Sequence, residues 1–127
     1  MLLNHNLKSK LRDRKKIFGS WVSYSDPSIA ETFALAGFDF VAIDMEHTCI
    51  STEQAKQIIT ACNSVGVDCL PRPSSESNDL VKPLLESGCQ GMLFPMVETP
   101  KQFEKIIFKL YFIYCWLYFN CKRLNYG

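Results

Sequence analysis

The chain has 127 residues, 47% of them apolar and 21% charged, and a net charge of +1. That length predicts one domain at most, or part of a larger one. The near-neutral charge excludes nucleic acid as the main partner, because phosphate recognition needs a concentrated basic face. The six cysteines, at 49, 62, 69, 89, 115 and 121, include no pair with the two-residue gap of a zinc or redox motif. With no secretory apolar core in view, the expectation is a cytoplasmic protein whose thiols are reduced and mostly structural.

The basic cluster Lys8, Lys10, Arg12, Arg14, Lys15 and Lys16 falls in a predicted helix over 6–16. Leu7 and Leu11, four apart, are expected to face inward. Residues 1–16 thus read as a basic capping helix. Residues 17–106 then alternate strand, turn and helix. Ile17 to Val22 is the first predicted strand, and Ser25-Asp26-Pro27 starts a helix. Ile29, Phe33 and Leu35 are assigned to its buried face, and Gly37 stops it.

Phe38 to Ile43 is the second predicted strand. Ser51-Thr52-Glu53-Gln54 has the form of a capping box, and the helix behind it carries Ala55, Ile58, Ile59 and Cys62 toward Gly66. Val67 to Pro71 is the third strand. Asn78-Asp79 opens a helix that contains Pro83, so a kink or a late start is expected there. Gly91 to Met96 is the fourth strand, and Thr99-Pro100 starts the last helix. Continuous apolar strands alternating with amphipathic helices predict parallel βαβ units. Four such units make half of an eight-unit barrel, which takes ~250 residues.

Residues 107–127 change character. Positions 108–127 hold eight of the sixteen aromatic residues, and no acid follows Glu104. The uncharged run from Leu110 to Phe119 is about half the ~20 residues a membrane helix needs, so a membrane anchor is not expected. An edge-packing segment or an unnatural terminus fits better.

The polar residues at the strand ends carry the chemistry. Strand two empties into Asp44, Met45, Glu46 and His47, and strand three into Arg72. The carboxyl ends of buried parallel strands are where α/β barrels keep their reactive groups. His47 can exchange a proton near neutral pH. Arg72 presents a planar fork matched to a carboxylate, and its fixed charge would stabilise a developing enolate. Asp44 and Glu46 could orient the histidine, hold a metal's water shell or pair with the arginine. A strand-end histidine or arginine is more often structural when met alone, but the two together on adjacent strands favour a site for a small anion. Trp21, at the end of strand one, suits either the wall of that pocket or the core.

Phe18-Gly19-Ser20-Trp21, Ala36-Gly37-Phe38-Asp39-Phe40, Ile43-Asp44-Met45-Glu46-His47, Pro71-Arg72-Pro73, Leu84-Leu85-Glu86-Ser87-Gly88 and Phe94-Pro95-Met96-Val97 occur in this order. Over roughly residues 6–106 the chain resembles the HpcH/HpaI family of class II pyruvate-dependent aldolases. The resemblance implies a (β/α)8 barrel, a homo-oligomer, and cleavage of 2-oxo-4-hydroxy acids to pyruvate and an aldehyde with magnesium or manganese. His47 would then be the base, Arg72 would hold the pyruvate unit and stabilise its enolate, and the metal would act as a Lewis acid.

The match departs from the family at two points. The family's aspartate that raises the basicity of the histidine falls at Glu86, on a helix ending at the barrel face opposite the site. Contact there is expected from a neighbouring subunit. The family's metal-ligand strands, five and six, have no counterpart in this sequence, so the chain alone is expected to be inactive. The competing expectation is a non-catalytic truncated product that associates with full-length subunits.

Overall fold

A computed structural model describes residues 6–124, with side-chain surroundings through residue 113. The chain divides into two compact units, with the boundary after Leu93.

The first unit is built on three parallel strands, β1 (Gly19–Val22), β2 (Phe40–Asp44) and β3 (Asp68–Arg72), in the order β1-β2-β3. Helix α1 (Leu7–Arg12) precedes them. Helices α2 (Pro27–Leu35) and α3 (Thr52–Val65) make the crossovers, and α4 (Asn78–Glu86) follows β3. Side chains alternate across the sheet. Val22, Val41, Ile43 and Cys69 point to the helices and meet Ala55, Ile58, Ile59, Cys62 and Leu84 in one core. Gly19, Trp21, Phe40, Ala42, Asp44, Leu70 and Arg72 share the other face by the register. The Phe40 ring lies where a β-carbon on Gly19 would stand. Glycine is what lets the ring close over β1.

Local chemistry explains most boundaries. Asp26 accepts from the Ser28 amide at 2.9 Å and Pro27 opens α2. The Ser51–Gln54 capping box is fully formed, at 3.2 and 2.9 Å, and Gly66 ends α3 at φ 76°. Asp39 ties the start of β2 to the start of β1. It accepts from the Phe18 amide at 2.8 Å and pairs with Lys10, and these bonds hold its carboxyl below the usual range.

Several expectations are corrected. Helix α1 stops at Arg12, with Arg14 in the left-handed region, and Leu11 is 56% exposed. What anchors α1 is the buried Leu7, whose amide donates to buried Asp68 at 2.9 Å. Leu35 is 82% exposed because it sits about 200° around α2 from Phe33. Ala30 takes the buried position instead. Helix α4 does not start late: it begins at Asn78 and runs through Pro83, whose carbonyl accepts from the Ser87 amide and hydroxyl.

The fourth strand does not form among the described residues. Gln90 and Leu93 donate to the Cys69 and Pro71 carbonyls at 3.2 and 3.0 Å, which lays residues 90–93 along β3. The Cys69 amide, however, is taken by the Gln90 side chain at 2.8 Å. A side-chain oxygen stands where a strand carbonyl is required, and the ladder does not propagate.

The buried thiols behave as small apolar groups. Hydrogen bonding to Cys62 and burial both push Cys69 well up, and burial pushes Cys89 to about 11.

The second unit contains α5 (Pro100–Leu124), which runs across the expected boundary at 107. Gln102 and Thr99 cap it reciprocally: Gln102 Oε1 accepts from the Thr99 amide at 3.0 Å, and Thr99 Oγ1 accepts from the Gln102 amide at 3.3 Å. The aromatic side chains from Tyr114 onward lie outside the described residues. No described helix is long and apolar enough to cross a membrane.

Because Ile58 is fully buried between helix and sheet, Ile58→Ala is expected to cost about 2–5 kcal/mol. Leu35→Ala, at an exposed position, should stay within about 0.5 kcal/mol of the parent. Urea unfolding followed by circular dichroism measures both, and equal losses would contradict this placement of the core.

Candidate active site

Strand register brings the site together. Asp44 and Arg72 are direct partners at the carboxyl ends of β2 and β3, and both side chains project from the sheet face that carries Trp21. Arg72 Nη2 lies 3.0 Å from Asp44 Oδ1, and its Nε lies 3.4 Å from Glu46 Oε2. The guanidinium carbon stands 4.4 Å from the Trp21 ring centroid, a cation–π contact that fixes the plane of the fork. Trp21, at 48% exposure, thus supports the arginine.

After β2 the chain must turn sharply, and Asp44 organises the turn. The same Oδ1 accepts from the backbone amides of Glu46 and His47, both at 3.1 Å, as in an Asx turn. Thr48 closes the loop from the other side. Its hydroxyl donates to the Asp44 carbonyl and accepts from the Ile50 amide at 3.2 Å. Thr48 was not singled out from the sequence. An Asp followed four residues later by Thr at a strand end is the signal that could have identified it.

Burial raises the Asp44 pKa, but the His47 amide, the Arg72 fork and the Glu46 amide together outweigh it and leave the carboxyl below its ordinary value. Of the roles open to Asp44 and Glu46, pairing with arginine is the one the geometry displays. Glu46 also reaches the histidine, with Oε2 at 3.5 Å from His47 Nε2. The imidazole is otherwise open, 68% exposed at the rim. Arg72 Nε has no hydrogen-bond partner although it is buried; the contact to Glu46 is close in distance but misaligned.

Five of the six sequence candidates, Trp21, Asp44, Glu46, His47 and Arg72, thus form one cluster. Glu86 is not part of it. It ends α4, pairs with Lys82 at 3.9 Å, and lines a shallow groove with Thr52, Glu53, Lys56, Pro83 and Ser87. Four residues further on, Gln90 bonds beside Cys69, near the start of β3.

These features define a parallel α/β protein of the barrel type, with an arginine–carboxylate–histidine cluster at the strand ends. The HpcH/HpaI aldolase/citrate lyase family model matches residues 17–113. The chain belongs to the HpcH/HpaI aldolase/citrate lyase family. A hydroxypyruvate/pyruvate aldolase of Paraburkholderia phytofirmans is 33% identical over 98 residues, covering 77% of this chain and 37% of the relative. A 2-keto-3-deoxy-L-rhamnonate aldolase of Salmonella typhi is 31% identical over 106 residues, covering 84% and 40%.

Among solved structures, the citrate synthase SbnG superposes with a TM-score of 0.71 at 30% identity, covering 79% of this chain and 41% of that one. A family member from Burkholderia cenocepacia gives 0.71 at 32% identity, covering 76% and 39%. The chain therefore has the fold of the first part of a (β/α)8 barrel, and it spans about two fifths of the length of these curated relatives.

The depressed Asp44 carboxyl fixes a pH dependence. A group whose folded pKa is lowered adds stability that is present above its ordinary value of 3.8 and is lost as pH falls through the folded value. Urea midpoints should fall below about pH 4. In Asp44→Asn the midpoint should be lower at pH 7 and this acid limb shallower. Parallel pH profiles for the two proteins would rule out the Asp44–Arg72 contribution.

Proposed function

We propose that the cluster is the 2-oxo-acid-binding half of an aldolase site, and that the whole protein cleaves 2-oxo-4-hydroxy acids to pyruvate and an aldehyde. The observation that carries this reading is the guanidinium of Arg72, held by Trp21 and Asp44 at the strand ends beside an open histidine. A preset, delocalised cation suits a planar carboxylate and its neighbouring carbonyl oxygen.

In the proposed reaction, His47 takes the proton of the 4-hydroxyl, directly or through water. The C3–C4 bond breaks, the aldehyde leaves, and the electron pair becomes the pyruvate enolate. Arg72 stabilises the oxygen that gains charge, a contribution that grows toward the transition state. Return of a proton to C3 completes pyruvate. Asp44 and Thr48 hold the loop that carries His47.

A divalent ion, magnesium or manganese, belongs to the proposal by family. The described residues do not by themselves fit one. Asp44 and Glu46 are the nearest carboxylates and both are turned onto Arg72, whose charge repels a cation. No three His, Cys, Asp or Glu side chains converge on a metal position among the described residues. We therefore expect the chain alone to bind pyruvate without exchanging its methyl protons.

Glu86, if it acts, does so from a neighbouring subunit of a homo-oligomer. The exposed Trp21 also supports the second reading, a non-catalytic chain that associates with longer subunits.

The test uses Trp21 as its own reporter. In a Trp116→Phe background, pyruvate should change Trp21 fluorescence saturably. Arg72→Ala should abolish the change, and His47→Gln should retain it within about threefold, because a proton-transfer residue contributes to rate more than to affinity. Absence of any saturable change in the parent chain would defeat the oxo-acid reading. Incubation in heavy water with manganese, read by loss of the methyl signal, checks the second expectation, which exchange by the isolated chain would overturn.

A further inference from the structure

Charge does not balance in the oxo-acid site. Arg72 brings one positive charge, and the carboxylates of Asp44 and Glu46 both face it, at 3.0 and 3.4 Å. With the histidine neutral, the cluster is net negative before any substrate arrives. A 2-oxo acid placed on Arg72 adds a further negative charge, and like charges a few ångströms apart repel strongly where water is partly excluded. The Arg72 and Glu46 side chains are only 22% and 19% exposed. One carboxylate has to give way.

The two are held very differently. Asp44 Oδ1 is committed to Arg72 Nη2 and to the amides of Glu46 and His47, so withdrawing it would release the whole turn. Glu46 has a single contact to Arg72, and that contact leaves the buried Nε–H without a hydrogen-bond partner. A buried donor left unsatisfied carries a cost that an aligned acceptor removes. Glu46 is the loose carboxylate, and Nε is the open donor.

Glu46 also has somewhere to go. The oxygen that faces Arg72, Oε2, lies 3.5 Å from His47 Nε2. The Glu46 amide is tied to Asp44, so rotation of the side chain alone moves the carboxylate between the two partners.

From this arrangement we infer that Glu46 is a displaceable occupant of the arginine: a 2-oxo acid takes Arg72 Nε and drives the Glu46 carboxylate onto His47. Glu46 is then a positioning residue. It ties the setting of the histidine to the filling of the arginine, and in the filled site it steadies an imidazole that is otherwise 68% exposed. The identity of the displacing ligand rests on the oxo-acid reading; the contact of Glu46 with Arg72 does not.

Glu46→Gln removes the competing charge and keeps the shape of the side chain. Titrated by Trp21 fluorescence in the Trp116→Phe chain, pyruvate should bind Glu46→Gln about tenfold more tightly than the parent. Loss of a residue that only supported the fold would move affinity the other way. Glu46→Ala should show the same gain, so a poorly folding amide variant does not decide the matter. The His47 ring resonances, identified by their loss in His47→Gln, should shift with saturating pyruvate in the parent and shift at least about twofold less in Glu46→Gln. Equal or weaker binding by both Glu46 variants, or equal His47 shifts, would overturn the inference while Arg72-dependent binding left the oxo-acid reading intact. The Arg72 Nε–H resonance of the ligand-free chain separates the other case, since it should move in Glu46→Gln whatever the ligand. If it moves but pyruvate binds none of these proteins, the oxo-acid reading fails and the displacement fails with it. If it does not move, the displacement fails alone.

Discussion

One carboxylate oxygen organises the site. Asp44 Oδ1 accepts from the Arg72 fork and from the amides of Glu46 and His47. It thereby links the arginine on β3 to the loop bearing the histidine. Its position follows from the parallel register, which sets Asp44 directly against Arg72. A one-residue slip of either strand would turn its side chain toward the helices and dissolve the cluster. The sheet register is thus a functional constraint as much as a structural one.

Burial around this cluster is graded. Ile43, one residue before Asp44, is fully buried, Asp44 is nearly so, and His47 is open at the rim. Over that short distance the chain passes from core to solvent, and the ionisable groups are placed in the order of their chemistry. The fixed charges sit deepest, where pairing offsets the cost of desolvation. The group that must exchange protons sits where water and substrate can reach it.

Two departures from the expected pattern rest on a side chain that bonds a backbone amide far away in the sequence. Gln90 does so at Cys69 and interrupts the fourth strand before it begins. Asp68 does so at Leu7 and fixes α1 by its first residue, so that Leu11 is free to face water. Both are contacts between residues far apart in sequence, and neither leaves a mark in local periodicity. Leu35 is different: its exposure was readable from helical geometry, since Ile29 and Phe33 define a stripe that excludes it.

The sequence by itself determined the parallel strand–helix alternation, the caps at Asp26 and Ser51, the stop at Gly66, and the placing of Asp44, Glu46, His47 and Arg72 at strand ends. Those are local matters of apolar runs, capping chemistry and left-handed glycine. Only the tertiary structure decided that Asp44 and Glu46 pair with Arg72, that Trp21 supports the guanidinium, and that Glu86 pairs with Lys82. The contacts of the site depend on strand register, and that is set by packing between segments rather than within them.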